Sequence, residues 1–462
     1  MALPSSAVTF AVRRRKPELV APAKPTPYEC KLLSDIDDQE SLRFNIPVIQ
    51  FYTCNPSMQA KDPAAVIREA LAQTLVYYYP LAGRLREGPN RKLMVDCTGE
   101  GALYIEAEAD VALKDFGDIL SPPFPCVDEL LYDVPNPNDV LNRPLLIIQV
   151  TRLKCGGFIF AINVSHLLTD ASGMIQLILA MAEISRGAIA PSIQPVWERH
   201  LLSARDPPRV SSFHREYDQE KEGAISTTPL ENMVHRSFFF GHKELSTLRK
   251  LLPYHLRQCS RFELLAACLW RCRTIALKTD PDEEVRLLFT VSARPKLNPP
   301  LPLGYYGNAI VFLAAITTAR KLSENPLWYA IKLVRHAKER VTEEYVRSVA
   351  DLMVIKGRPH YPMTGSCLVT DVTRVGFKDV DFGWGKTVYG GLAKAGLGAK
   401  LHGVSPLSIL VAIKNEKGED GIAMSICLPD PAMEVFAKEL DILLKQEMVG
   451  LQSKPIFISS GL

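Results

Sequence analysis

The sequence carries almost no net charge, no C-x-x-C pair and no apolar run long enough to span a membrane, and each absence removes a class of function. Lys plus Arg number 54 against 51 for Asp plus Glu, leaving +3 over 462 residues. That is too little for a general polyanion binder, so nucleic acid is not an expected partner. The ten cysteines are dispersed, which fits a reducing compartment better than a disulfide framework. Cys268 and Cys272, four apart in a helical pattern, read as buried thiols, and no His or further Cys stands at finger-like spacing, so no metal is expected. The longest apolar runs, near 145–150 and 309–316, fall short of the ~18 residues of a membrane span. Arg13, Arg14, Arg15 and Lys16 follow the apolar start, the reverse of a secretory signal. There is no fixed-period repeat, no Gly-rich phosphate loop and no G-x-S-x-G elbow. Ser405, in Gly403-Val404-Ser405-Pro406, lacks the closing glycine.

What remains is the composition of a globular α/β protein, 47% apolar and 23% charged, long enough for two large domains. Strand-like and helical patterns alternate. Strands are expected at 8–12, 46–52, 92–97, 145–152 and 158–164, with helices over 62–78 and from Gly173 to about 184. Between Gly187 and Leu230 the periodicity fades into prolines and mixed charges, which reads as a crossover. Strands at 234–240, 285–292 and 421–428 and helices over 260–277, 326–346 and 431–447 make up a second half. The expected division is an N-terminal domain at 1–190, a linker at 191–230 and a C-terminal domain at 231–462.

The most informative stretch is Phe158-Ile159-Phe160-Ala161-Ile162-Asn163-Val164-Ser165-His166-Leu167-Leu168-Thr169-Asp170. An apolar strand delivers a histidine at its end, and a short turn leads into an apolar helix, so His166 should stand at the edge of a sheet facing a cleft. An imidazole there can take a proton from a hydroxyl and return it to a leaving group, worth roughly 10²–10⁴ in rate. Taken alone, a histidine satisfied by a backbone carbonyl is the more ordinary reading. Asp381-Phe382-Gly383-Trp384-Gly385, two glycines around a large ring, reads by physics as a tight structural loop.

Together, His166-x-x-x-Asp170 and Asp381-Phe382-Gly383-Trp384-Gly385 resemble the motifs of the plant BAHD acyl-CoA-dependent acyltransferases. Tyr79-Pro80-Leu81-Ala82-Gly83-Arg84 and Gly304-Tyr305-Tyr306-Gly307-Asn308 look like further landmarks of that family, in the same order, and the likeness runs from about Val8 to Met448. The stretches 16–22, 32–40, 43–52 and 369–377 look like its benzyl alcohol O-benzoyltransferase branch, whose donors are commonly benzoyl-CoA or acetyl-CoA.

The resemblance implies two α/β domains like chloramphenicol acetyltransferase, each a mixed sheet flanked by helices, joined by a long crossover loop and enclosing a channel with His166 midway. His166 would act as general base, with direct attack of the acceptor on the thioester and no acyl-enzyme. Thr370 matches a position that can stabilise the developing oxyanion, although an ordinary strand threonine fits it as well. Asp170 would turn away from the channel into an ion pair with Arg294, unless Arg294 engages Asp381. Trp384 would pack between domains or support the channel wall. Asn45 and Val372 match acceptor-side positions, and Ser260, Ser292 and Asn308 lie near segments that line the CoA side in relatives. Val372 stands where many relatives carry Trp, which leaves room for a compact alcohol; Ala171 and Tyr306 are departures of less consequence.

The expected reaction is transfer of benzoyl from benzoyl-CoA to benzyl alcohol or a similar small alcohol. Acyl-CoA is a co-substrate and no cofactor is permanently bound. Acetyl transfer, N-acylation of an amine, or a CoA-ester-binding inactive relative are the alternatives. A monomer is expected, in the cytoplasm by family default. The terminal Ser460-Gly461-Leu462, a degraded peroxisomal tripeptide, keeps the peroxisome as the alternative.

Overall fold

A computed structural model describes residues 2–3, 8–134, 140–218, 232–396 and 407–445. Two mixed sheets organise them. The first runs Val12–Arg14, Ala102–Ala109, Leu146–Leu153, Phe158–Ser165, Asn45–Tyr52, Tyr389–Leu392, with Glu18–Val20 also on Ala102–Ala109. The second runs Met233–Phe240, Asp420–Pro429, Leu407–Lys414, Ser366–Asp371, Glu284–Ser292, Ile310–Thr318. Cys30–Leu32, Leu93–Asp96 and Arg84–Glu87 form a small third sheet.

The local signals explain the elements that place the site. Asp62 caps the helix Pro63–Tyr77, its carboxylate accepting from the Ala64 and Ala65 amides, with Pro63 in the first turn. This helix lies beside Ala171–Ser185, and their apolar faces cover the first sheet, whose strand Phe158–Ser165 is buried along its whole length. In the second half the helix Arg261–Ala276, nearly all apolar on its buried side, packs between Leu327–Glu339 and Asp430–Lys445.

Two expectations need correcting, and one strand crosses between the expected halves. The first strand is Val12–Arg14, not 8–12, with Arg13 opposite Glu108 of the neighbouring strand at 3.9 Å. The helix expected over 326–346 is two, Leu327–Glu339 and Glu343–Ile355. Thr342 leaves helical geometry and caps the second, its side chain accepting from the Tyr345 amide, a start signal that apolar periodicity overrides when read alone. Finally, the sheets do not divide the chain at one point. Tyr389–Leu392, from the second half, pairs antiparallel with Val48 to Phe51 and forms the edge of the first sheet. Residues 219–230 of the expected crossover, the Ser405 segment and the terminal Ser460-Gly461-Leu462 lie outside the described residues.

Candidate active site

His166 follows the last residue of the strand Phe158–Ser165, and its amide donates to the Phe44 carbonyl at 2.8 Å. Its ring meets Phe44 edge-on at 5.1 Å and forms part of a cleft of about 220 Å³ between the two sheets. The Nδ1 atom lies 3.1 Å from the Thr169 carbonyl oxygen. A carbonyl only accepts, so Nδ1 carries the hydrogen and the neutral ring keeps Nε2 as a free acceptor. Burial pushes the ring below its ordinary value of 6.5, outweighing the upward pull of Asp170 and of its own hydrogen bonds. Solvent still reaches the half-buried residue through the cleft. The backbone-carbonyl partner and the cleft position, alternatives on sequence, are both present.

Asp170 is turned away from the imidazole. Its Oδ1 accepts from the Ser172 and Gly173 amides at 3.0 and 3.1 Å, capping the helix Ala171–Ser185, and its Oδ2 accepts from the Ala309 amide at 3.0 Å. Arg294 closes on it in fork geometry, at 2.6 Å to Oδ2 and 3.1 Å to Oδ1, and donates to the Gly307 carbonyl at 2.9 Å. The choice between Asp170 and Asp381 is thereby resolved in favour of Asp170. Asp381 instead folds its own loop, accepting from the Gly383 and Gly385 amides at 2.7 and 2.8 Å. Both glycines have positive φ, 111° and 94°, where a Cβ would be strained.

The Asp381 loop sits far from the imidazole. Trp384 packs on Phe158 at 5.3 Å and Phe382 on Phe160 at 5.0 Å, roughly 20 Å or more down the strand from His166 at ~3.3 Å per residue. The Ser185 hydroxyl donates to the Phe382 carbonyl, and Arg186 donates to that of Asp381. The loop thus clamps the strand and the helix on either side of the histidine turn, and Trp384 is a packing residue rather than part of the cleft wall.

The second sheet supplies the opposite wall. Thr370 lies on Ser366–Asp371 and lines the cleft, and its hydroxyl has no hydrogen-bond partner among the described residues. Val372 and Ser292 also line it. Leu42, Phe44, Ile46, Phe312, Leu368 and Leu392 make most of the remainder apolar. Tyr361, which the sequence did not single out, lines the cleft with its ring 5.2 Å from Phe312. It sits in an irregular segment, where no periodicity marks a buried residue.

Three residues assigned from the sequence stand outside the lining of this cleft. Asn45 pairs with Ser165 in the sheet, and the cleft is lined by its neighbours Phe44 and Ile46, so strand alternation turns Asn45 the other way. Ser260 is a helix cap, its hydroxyl accepting from the Glu263 amide at 3.1 Å, and does not line the cleft. Asn308 is fully buried and bonds to protein: its Nδ2 donates to the His166 carbonyl at 2.7 Å and to Asp37 Oδ1 at 2.8 Å. Asp37 and Arg199 were missed as partners. Arg199, 2% exposed, donates to both Asp37 oxygens at 2.8 and 3.0 Å and lies on Trp197 and Tyr306. Their separation of 162 residues leaves no local signal. Among the described residues no group of three or more His, Cys, Asp or Glu could hold a metal, and no helix is long and apolar enough to cross a membrane.

A half-buried histidine with its Nε2 open to a cleft between two mixed sheets, facing the Thr370 hydroxyl, is suited to a two-domain enzyme that moves a group between two substrates. Residues 10–443 match the model of the Transferase family. The chain is 62% identical over 441 residues to a benzyl alcohol O-benzoyltransferase of Nicotiana tabacum, covering 96% of this chain and 95% of that one. It is 59% identical over 458 residues to the Petunia hybrida protein of the same name, covering 99% of each. Of solved structures, vinorine synthase shares the fold with a TM-score of 0.71 at 22% identity, covering 94% of this chain and 98% of that one. The chain belongs to this transferase family, the BAHD acyltransferases, and is an acyl-CoA-dependent O-acyltransferase.

Proposed function

We propose that the protein transfers a benzoyl group from benzoyl-CoA to benzyl alcohol or a similarly small alcohol. The observation that carries this is His166 itself, neutral, with Nε2 unengaged and opening onto a mostly apolar cleft. Nε2 takes the alcohol proton as the oxygen attacks the thioester carbonyl carbon. The Thr370 hydroxyl donates to the carbonyl oxygen as it gains charge. The C–S bond then breaks, and the proton on His166 passes to the departing thiolate. The likeness to the two benzoyltransferases and the compact Val372 position favour aromatic substrates of benzyl size.

Asp170, Arg294 and Asp381 hold the frame, and Ser292 stands at the CoA side. We assign the domains to 1–190 and 231–462 around the linker 191–230, with the second lending one strand to the first sheet, and expect a monomer in the cytoplasm. A fluorescent fusion lacking the segment from Ser453 tests the location: a peroxisomal signal lost with the tail overturns the cytoplasmic assignment.

A matrix of acyl-CoA donors against alcohols and amines, read by product mass, tests the reaction. Benzyl benzoate should dominate. A preference for acetyl-CoA or for amines overturns the substrate assignment, and a His166→Ala protein that keeps most of its turnover overturns the mechanism.

A further inference from the structure

The buried Asp37 carboxylate is a hub whose partners come from its own turn and from two distant parts of the chain. Ser34 donates to Oδ2 through its amide at 3.1 Å and its hydroxyl at 2.6 Å. Arg199, from the crossover segment, donates to both oxygens. Asn308, from the second half, donates to Oδ1 through its amide at 2.9 Å and its side chain at 2.8 Å.

Two of these partners use their remaining hydrogens on the turn that carries the base. Asn308 Nδ2 reaches the His166 carbonyl at 2.7 Å, and Arg199 Nη2 reaches the Leu168 carbonyl at 2.8 Å. The turn's next carbonyl, of Thr169, receives the imidazole Nδ1. Three carbonyls of the turn, those of His166, Leu168 and Thr169, are therefore met by fixed donors: two oriented by Asp37 and one by the base itself. Glycine at 307 is required for this approach, because a Cβ there would collide with the Arg199 guanidinium. The side chains of Asp37, Arg199 and Asn308 do not line the cleft.

We infer that Asn308 and Asp37 are positioning residues for His166: they fix the backbone of the turn from which the imidazole projects, and so fix where Nε2 meets the alcohol. A displacement of about 1 Å at a reacting group can cost on the order of 10² in rate, whereas substrates held by the cleft walls are not touched by the hub. The inference rests on His166 being the base.

The test measures kcat, KM for each substrate, and thermal melting for Asn308→Ala and for the isosteric Asp37→Asn, beside His166→Ala. Asn308→Ala should lower kcat about 10- to 100-fold with KM for donor and acceptor changed less than threefold. Asp37→Asn, which keeps shape and an acceptor oxygen, should fall in between. A lower melting temperature with kcat of the folded enzyme within twofold of the parent, in either variant, assigns a purely structural role and overturns the inference. An active His166→Ala protein refutes the base itself, an outcome separable from the first.

Discussion

Replacing Arg294 by Met keeps the aliphatic bulk of the side chain and removes both of its bonds to Asp170 and its bond to the Gly307 carbonyl. The Asp170 side chain is 4% exposed, so its charge stays in a poorly solvated place. Losing one partner of a buried pair typically costs ~3–5 kcal/mol. Asp170 keeps the Ser172 and Gly173 amides of the helix start it caps, and the Ala309 amide from the second half. The Arg294 side chain is itself 24% exposed, which lowers the gain from the pair. These two facts place the loss near ~3 kcal/mol, the bottom of that range. At about 2–4 °C per kcal/mol for a cooperative unit of this kind, the melting temperature should fall by about 6–12 °C. Turnover at 25 °C should drop by no more than about tenfold, because neither residue bonds to the imidazole. A carboxylate that oriented the ring would cost ~10⁴ on removal of its function. Differential scanning fluorimetry and kcat on the same preparation separate the two. A fall near 10⁴ with unchanged melting would refute the structural role of this pair, and unchanged melting with unchanged turnover would refute its energetic weight.

Because burial holds His166 below 6.5, the acid limb of kcat/KM against pH should have its midpoint below that value, with full activity at and above neutrality; a midpoint above 6.5 contradicts the buried neutral base. The same shift means the unfolded chain binds the proton more readily, so this group's contribution to stability is present above pH 6.5 and declines as pH falls below it. Thr370→Val should lower kcat by about 10²–10³ with little change in KM, measured at saturating benzoyl-CoA; a loss under threefold removes the hydroxyl from the reaction. Gly173→Ala should prevent accumulation of folded protein, since its Cβ would meet the Tyr306 carbonyl oxygen and Thr169 Oγ1; normal expression and melting would show that the helix start can shift.

The helix Pro63–Tyr77 and the strand Phe158–Ser165 were legible because every signal for them is local: a cap, a proline in the first turn, a run of apolar residues bounded by a turn. His166 was legible for the same reason, since a strand end followed by Thr, Asp, Ser and Gly fixes where the chain turns. The break at Thr342 was also written locally and was lost only because the apolar repeat continues across it. Asn308 and Ser260 were placed by analogy of segment, and their side chains proved to be committed to protein partners.

The order and type of most elements, the position of the imidazole at a sheet edge and the exclusion of phosphate-loop and serine-hydrolase chemistry follow from the chain read alone, because they depend on neighbours within a few residues. Contacts closed over long separations required the tertiary structure. The donation of Tyr389–Leu392 to the first sheet, the pairing of Arg294 with Asp170, and the Asp37 hub join residues from 124 to over 300 positions apart. Nothing in local propensity selects among the many acidic and basic residues that could meet at such distances; the tertiary packing that brings the two halves of the chain together does.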